Sequence, residues 1–171
     1  MKRIIVNAIM IFICFILQTA VFGSFKLADV MPNIFFIIIS SMAMLRGQKE
    51  GMLVGFFCGI MVDLLYGPYL GMYALIYMIL GFLAGYFHRV YFADDILMPG
   101  LIIGITDFVY GLTMYVIYGL LQNHLHVLTY FVKIILPEAV YTAAIGIVFY
   151  RIFFRVNRWL EKGEKGRIDF D

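Results

Sequence analysis

The stretch that decides the fold runs from Gly51 to Gly71 and reads GMLVGFFCGIMVDLLYGPYLG. Within it, every fourth residue from the start is a glycine and then an aspartate: Gly51, Gly55, Gly59 and Asp63. Residues at this spacing share one face of a helix. In lipid, small residues on one face let a second backbone come close, and a carboxylate beside them must face protein, water or a partner. The pattern predicts a packing or recognition face inside a membrane.

The composition of the whole chain agrees with a membrane location. Of the 171 residues, 64% are hydrophobic and 14% are charged, whereas a soluble domain carries about a quarter charged residues. The mean hydropathy is +0.96, and the apolar residues fall in long blocks. We interpret the apolar stretch that starts at Ile4 as a retained first helix, because it lacks a small-residue cleavage site. The length predicts a single membrane domain over residues 1–171.

Six apolar stretches predict an all-α integral membrane protein, a bundle of six transmembrane helices. The predicted spans are Ile4–Phe22, Asn33–Leu45, Gly51–Tyr66, Leu70–Phe87, Ile96–Leu121 and Leu128–Tyr150. A span needs about 20 residues, and the second and third stretches are shorter than that. Flanking residues or local thinning of the bilayer can accommodate them. A re-entrant hairpin formed by these two stretches is the alternative.

The basic residues predict that both termini lie in the cytoplasm. With six spans, Lys26 and Lys133 are the outer ones of the 13 basic residues. The other eleven lie inside: Lys2, Arg3, Arg46, Lys49, Arg89, Arg151, Arg155, Arg158, Lys162, Lys165 and Arg167. Residues from about 151 to 171 then form a short cytoplasmic tail. Its first part can extend the last helix along the membrane surface, but we favour a simple solvated tail.

Three acids fall within predicted spans, and a tyrosine follows each of them three residues later. The pairs are Asp63 and Tyr66, Asp107 and Tyr110, and Glu138 and Tyr141. With a rise of about 1.5 Å per residue, Asp107 lies near the midplane and the other two acids lie in the outer halves of their spans. All three can therefore face a common outer region. Residues three apart share a helix face, so each phenol can hydrogen-bond its acid.

Several roles are open for these acids. Asp63 can hold the short turn from Tyr66 to Tyr69 through a network between helices, or it can belong to a face that binds a partner or ligand. Proton coupling is a third option, because intramembrane carboxylates often serve it. Against it, no basic residue lies deep in any span. Two further pairs at the four-residue spacing, Gly81 with Gly85 and Gly100 with Gly104, predict close packing of neighbouring helices.

The sequence carries no recognisable catalytic set. It has neither a GxxxxGK[ST] phosphate loop nor a GxSxG elbow. His124 and His126 form a pair without a third metal ligand nearby in sequence. We therefore predict a non-enzyme that uses no cofactor or metal and does not bind nucleic acid.

Between residues 31 and 86 the chain carries an ordered set of short motifs. They are MPN at 31–33, LRG at 45–47, EG at 50–51, GFFxG at 55–59, DLLxG at 63–67 and LG at 70–71, followed by the glycines of the fourth span. In this order they resemble the MreD family of rod shape-determining proteins. The resemblance covers the whole chain in length and span layout, whereas the fifth and sixth spans match in hydropathy alone.

The resemblance implies a fold, a location and partners. The fold is expected to be similar to the six-helix S components of energy-coupling-factor transporters. MreD-like proteins are multi-pass proteins of the bacterial inner membrane and belong to the elongasome, the machinery for side-wall peptidoglycan synthesis and cell shape. They bind the bitopic protein MreC directly, and MreB, RodA and a class B penicillin-binding protein belong to the same complex. No catalytic activity is implied.

These observations predict a non-catalytic scaffold, surrounded by membrane lipid, whose glycine-lined groove and outer rim contact MreC. The candidate contacts are Gly51, Gly55, Gly59, Asp63, Tyr66, Gly67 and Gly71, and the intramembrane polar candidates are Asp107, Tyr110, Glu138 and Tyr141. The alternative is an S component that binds a vitamin among these acids and tyrosines. Against it, the first span lacks the small-xxx-small face by which S components engage their energising partner.

Overall fold

The computed structural model describes residues 2–21, 31–67, 70–89, 97–119 and 130–168. These residues form six helices, and no strand occurs among them, so the all-helical fold predicted from the sequence is confirmed. Several residues named above lie outside the described ranges. They are Lys26, Tyr69, His124 and His126, and the predicted span bounds Phe22, Ile96, Leu121 and Leu128.

Each predicted span corresponds to one helix. The first four are α1 (Lys2–Ile16, continued by a π-helical turn, Leu17–Val21), α2 (Ile34–Arg46), α3 (Gln48–Tyr66) and α4 (Met72–Ala84, followed by a 3-10 turn, Gly85–Arg89). The last two are α5 (Leu97–Met114, continued by a π-helical turn, Tyr115–Gly119) and α6 (Leu136–Ile168, preceded by a π-helical segment, Phe131–Ile135).

Two helical segments are long and apolar enough to cross a membrane, judged by length and composition alone. They are Leu97–Ile117 and Phe131–Leu160. Three shorter apolar helices accompany them: Ile5–Ala20, Ile34–Arg46 and Met72–His88. The helix α3 has 19 residues but carries three charged side chains, those of Lys49, Glu50 and Asp63. This set of helices is compatible with a membrane bundle.

The second helix, α2, forms the centre of the bundle. Every residue from Ile34 to Met44 is buried, and the five other helices all contact α2. A helix that is apolar on all sides belongs in an interior.

Side chains from other helices hold the N-terminal end of α2. The Gln18 Oε1 atom accepts a hydrogen bond from the Ile34 N–H (2.7 Å), and the Thr142 hydroxyl accepts one from the Asn33 N–H (3.0 Å).

The helices α3 and α4 pack antiparallel with their backbones in contact. Four close approaches run along this seam and pair Gln48 with Gly85, Gly51 with Gly81, Gly55 with Tyr77, and Gly59 with Ala74. A Cβ atom built on any of these glycines would overlap the facing backbone. The sequence therefore identified the packing face correctly, and the second backbone that approaches it belongs to α4 of the same chain.

A second glycine seam joins α5 to α6, and it is less tight. It pairs Gly100 with Ile147, Gly104 with Ala143, and Ile103 with Gly146. The atoms nearest to a Cβ atom built on these glycines belong to side chains, such as the Cδ1 atom of Ile103 at 3.0 Å from a Cβ on Gly146. The packing that the sequence predicted for Gly100 and Gly104 is thus observed against α6.

The last helix does not end near Tyr150, where the predicted span ends. It continues unbroken to Ile168, and Phe153, Asn157 and Leu160 are buried against the bundle. These three residues lie three or four positions apart, so they share one helix face. Residues 151–160 therefore belong to the bundle, and the expectation of a simple solvated tail from residue 151 does not describe them.

A polar network around Arg46 connects four helices at the end of the bundle where α2 meets α3. The Arg46 side chain is 6% exposed. It donates hydrogen bonds to Asn157 Oδ1 of α6 (2.6 Å) and Asn7 Oδ1 of α1 (2.9 Å). The Asn7 amide in turn donates to Glu50 Oε2 of α3 (3.2 Å). A buried guanidinium is tolerated only with such partners, so this network fixes the positions of all four helices.

We expect the two glycine seams to respond differently when a glycine is replaced by alanine. In Gly55→Ala, the added methyl group meets the rigid backbone at Tyr77, so we expect the free energy of unfolding to fall by about 1–3 kcal/mol. In Gly146→Ala, the Ile103 side chain must shift by only a few tenths of an ångström, and the better helix propensity of alanine, up to about 1 kcal/mol, offsets this smaller strain. Thermal unfolding in detergent, followed by circular dichroism, measures both variants. Equal melting temperatures for the two variants would contradict the backbone contact between α3 and α4.

Candidate functional site

Asp63 lies one turn beyond Gly59 on the glycine face of α3, and its side chain is 3% exposed. Its Oδ1 atom accepts a hydrogen bond from the Tyr73 N–H (3.0 Å), and its Oδ2 atom accepts one from the Ala74 N–H (2.9 Å). These are the second and third residues of α4, whose N–H groups have no partner within their own helix. The positive end of the helix dipole also favours a carboxylate there. Asp63 of α3 is therefore the N-terminal cap of α4.

This geometry decides between the roles that the sequence left open for Asp63. Both carboxylate oxygens are occupied by α4, so the residue holds the connection between two helices of the same chain. The glycine face that leads up to it is covered by α4 as well. The prediction of an open groove at Gly51, Gly55, Gly59 and Asp63 for a partner's helix therefore does not fit the structure, because α4 fills that groove.

The turn between α3 and α4 exposes the remaining candidate contacts. Tyr66 is 66% exposed. The Gly67 N–H donates a hydrogen bond to the Asp63 carbonyl (3.1 Å) and ends α3. Gly71 has a φ of +99°, which favours glycine, and lies exposed just before α4. Three large apolar side chains are also exposed here, so the turn forms an apolar surface, the α3–α4 rim: Leu64, Leu65 and Leu70.

Asp107 and Glu138 form a separate polar cluster where α5 packs against α6. Asp107 is 3% exposed, and Glu138 is its acidic neighbour. Thr142, one turn after Glu138, and Asn33 at the start of α2 also lie beside the Asp107 carboxyl. The structure thus brings together two of the three acids, whereas Asp63 lies in the seam between α3 and α4.

The Asp107 carboxyl has no well-formed hydrogen bond within this cluster. Both oxygens are buried and accept no hydrogen bond from any described residue. The side chains of Thr142 and Asn33 lie close enough to interact weakly with the carboxyl, but the contacts fall short of strict hydrogen-bond geometry. Glu138 is partly exposed. Lys133, five residues earlier in the chain, is exposed. A buried polar group without a well-formed hydrogen bond costs about 1–3 kcal/mol. Among the described residues of α5 and α6, Asp107 has buried side-chain oxygens in this state.

The repeated spacing of acid and tyrosine does not correspond to a repeated structural unit. Tyr110 packs its ring against Tyr77 and Phe36, at centroid distances of 5.5 and 4.7 Å. Tyr141 is partly exposed, and Tyr66 is exposed while its acid is buried. The spacing placed each pair on one helix face, but the neighbouring helices give the two members of a pair different surroundings.

An apolar groove of about 390 Å³ lies between α4 and α5. Its lining residues are Leu80, Leu83, Ala84, Phe87, Met98, Leu101, Ile102, Ile105, Thr106 and Val109. Thr106 is the polar member of this set, and its hydroxyl donates a hydrogen bond to the Ile102 carbonyl (2.8 Å). We name this surface the α4–α5 groove. The sequence did not reveal it, because leucine and isoleucine on a lipid-facing helix carry no distinctive pattern.

The polar neighbours of Asp107 were also missed. Asn33 and Thr142 lie far apart in sequence, and the hydrogen bond between the Asn33 N–H and the Thr142 hydroxyl shows that they meet. The sequence offered only a weak signal for this meeting. Asn33 is a polar residue at the edge of an apolar stretch, and Thr142 is a polar residue within one.

Within the described ranges, no group of three His, Cys, Asp or Glu residues comes together to bind a metal ion.

Together these features define an all-helical bundle that is compatible with a membrane protein, in which several buried polar side chains connect helices. The family model of the rod shape-determining protein MreD matches residues 1–159 of the chain. The chain therefore belongs to the MreD family, as the ordered motifs predicted. Membership connects it with rod shape determination and with the membrane. Searches of curated proteins and of solved structures returned no match, and the expected similarity to S components stays a prediction.

Replacing Asp63 tests its role as a helix cap. Asp63→Ala leaves the buried N–H groups of Tyr73 and Ala74 without acceptors, so we expect a loss of about 1–3 kcal/mol in the free energy of unfolding. Asp63→Asn keeps one acceptor and should lie between Asp63→Ala and the wild type. Hydrogen exchange of the first turn of α4 should speed up in both variants. Tyr66→Phe is the control and should behave like the wild type; protection of α4 that is unchanged in Asp63→Ala would rule out the cap.

Proposed function

We propose that this chain is a non-catalytic membrane scaffold of the rod complex, the bacterial cell-elongation machinery. It binds MreC directly and thereby supports side-wall peptidoglycan synthesis and cell shape, in one complex with MreB, RodA and a class B penicillin-binding protein. The observation that carries this proposal is the family match over residues 1–159. The absence of catalysis belongs to the proposal: Asp63 and Arg46, two buried charged residues, are engaged in contacts between helices.

The proposed location is the cytoplasmic membrane, crossed six times with both termini in the cytoplasm. Each peripheral helix exposes large apolar side chains, for example Ile9, Phe57, Leu75, Ile105 and Val148. So much exposed apolar surface would promote association in water, whereas in a bilayer it faces lipid. The central helix α2 has 13 residues and measures about 20 Å, but it is surrounded by protein and need not match the bilayer thickness.

The α4–α5 groove is our proposed site for the transmembrane helix of MreC. The glycine face of α3 is already filled by α4, so a partner needs another surface. The groove extends along α5 from Met98 to Val109, about three helical turns. Its apolar lining suits the ridge of side chains of a single membrane-spanning helix. The α3–α4 rim, with Tyr66, Gly67 and Gly71, is proposed to contact the periplasmic segment that follows this helix.

The vitamin-binding alternative finds less support in the groove's chemistry. A ligand pocket combines apolar walls with a few convergent polar groups. The α4–α5 groove contributes Thr106 as its polar side chain, and the Thr106 hydroxyl is already bonded to the Ile102 carbonyl. An apolar helix suits such a surface better than a polar small molecule does.

Filling the groove tests the MreC proposal. We expect Leu101→Trp and Ile105→Trp to reduce the recovery of MreC with the tagged chain about tenfold, equivalent to about 1.4 kcal/mol, because the indole occupies the space of the partner's side chains. Co-purification in mild detergent, followed by native mass spectrometry, gives the stoichiometry.

Val148→Trp is the matched control, since Val148 is equally exposed on α6, and it should bind MreC normally. If both groove variants recover as much MreC as this control does, the helix binds elsewhere. If the wild type fails to bind MreC at all, the scaffold proposal itself is wrong.

Reporter fusions test the six-span topology. A green fluorescent protein fused after Ile168 should fluoresce, and an alkaline phosphatase fused there should be inactive, because both termini are proposed to be cytoplasmic. Phosphatase inserted after Gly67, in the turn between α3 and α4, should be active. An inactive insertion at Gly67, with normal expression of the fusion, would contradict the orientation.

A further inference from the structure

The last helix is longer than a single membrane crossing needs. Its apolar segment, Phe131–Leu160, has 30 residues, whereas a hydrocarbon core of about 30 Å takes about 20 helical residues. After Lys133, the next basic residue on this helix is Arg151, at the start of the last third of the segment. In a bilayer, residues 151–160 therefore lie at the depth of the lipid headgroups, beyond the hydrocarbon core.

Three arginines of this stretch form a stripe on its exposed side. Arg151, Arg155 and Arg158 are four and three residues apart, so they share one helix face, and all three are exposed. The face that packs against the bundle, marked by the buried Phe153 and Leu160, lies on the opposite side, because each residue advances about 100° around the helix. We name this set the arginine stripe. It faces away from the protein at the level of the headgroups.

The rest of the described structure does not neutralise the arginine stripe. The sequence has no acid between Glu138 and Glu161, and none of the three guanidinium groups forms an ion pair with a described residue. Arg158 lies 5.7 Å from the centre of the Phe154 ring, a contact that leaves its positive charge unbalanced. Three positive charges within about 10 Å of helix are therefore available to an anion from outside the chain.

We propose that the arginine stripe binds the phosphate groups of anionic membrane lipids. The occupant is a phospholipid headgroup in the leaflet around this end of α6. Guanidinium groups hold it in the fork geometry that phosphate oxygens fit. This proposal rests on the proposed membrane location of the chain, and it goes beyond the scaffold function because it assigns a class of lipid to one surface.

The residues beside the stripe favour a lipid over an acidic protein. Trp159 is 69% exposed and Ile152 is 48% exposed, and both lie next to the arginine stripe on the helix surface. Tryptophan is enriched at the level of the headgroups, because its ring is amphipathic. Basic residues beside exposed aromatic and apolar ones are typical of helices that bind anionic lipid surfaces. A solvated stripe that only fixed the orientation of the chain would show no preference among headgroups.

Lipid competition tests the proposal. The purified chain is reconstituted into nanodiscs that contain equal amounts of dioleoyl phosphatidylglycerol and dioleoyl phosphatidylcholine, and native mass spectrometry counts the lipids that stay bound to the released chain. We expect about a tenfold preference for phosphatidylglycerol at low salt, because each basic residue near an anionic surface adds to the attraction. A higher concentration of ammonium acetate should weaken the preference, because salt screens charges.

Substitutions then locate the preference on the helix. The glutamine triple, Arg151→Gln with Arg155→Gln and Arg158→Gln, should lose it. The same three positions changed to lysine keep their charges and should retain most of it. Lys133→Gln removes an exposed cation near the other end of the segment and should behave like the wild type. If the glutamine triple fails to fold, the headgroup preference of the wild type and its salt dependence still decide.

Three results would overturn the proposal: equal retention of both lipids by the wild type, an unchanged preference in the glutamine triple, or a loss in Lys133→Gln as large as in that triple. If the glutamine triple keeps the preference but no longer recovers MreB, the stripe binds a protein instead. A wild-type chain that enters no nanodisc would contradict the membrane location itself. MreC recovery tests the scaffold function separately.

Discussion

Direct contact between the backbones of α3 and α4 is the constraint on which much of the structure depends. Because the glycines at 51, 55, 59, 81 and 85 carry no side chains, the two helices approach to backbone contact. That approach leaves little freedom to slide, and it fixes the register of the pair. In this register the Asp63 carboxylate meets the first turn of α4 and caps it. The packing and the cap therefore depend on each other.

Helix ends elsewhere in the bundle are held in the same way, by side chains from other helices. Gln18 and Thr142 accept hydrogen bonds from the backbone at the start of α2, and Arg46 near its end binds residues of α1 and α6. In lipid, backbone groups that are not paired within a helix must find partners inside the protein. Several polar side chains serve this purpose. The buried side-chain oxygens of Ser40, Ser41 and Asp107 form no such hydrogen bond among the described residues.

The sequence predicted the positions of the helices well, because long apolar blocks and four-residue spacings are properties of the chain itself. It located the face at Gly51, Gly55, Gly59 and Asp63 but could not tell which helix would cover it, since small residues permit close approach by any backbone. It placed each acid on the same helix face as the tyrosine three residues later. Contacts with neighbouring helices nevertheless give the two residues of each pair different surroundings. It ended the last span near Tyr150 and favoured a solvated tail, although Phe153, Asn157 and Leu160 have the spacing of a buried face.

The sequence by itself determined that this is an all-helical, apolar chain of the MreD family with a close-packing face on its third helix. These properties follow from local periodicity, composition and the order of short motifs. Only the tertiary structure decided that α4 fills that face, that Asp63 caps α4, and that Asn33, Asp107, Glu138 and Thr142 meet. Contacts between residues far apart in the chain depend on how helices dock. Docking is set by the shapes of whole surfaces, which no short stretch of sequence specifies.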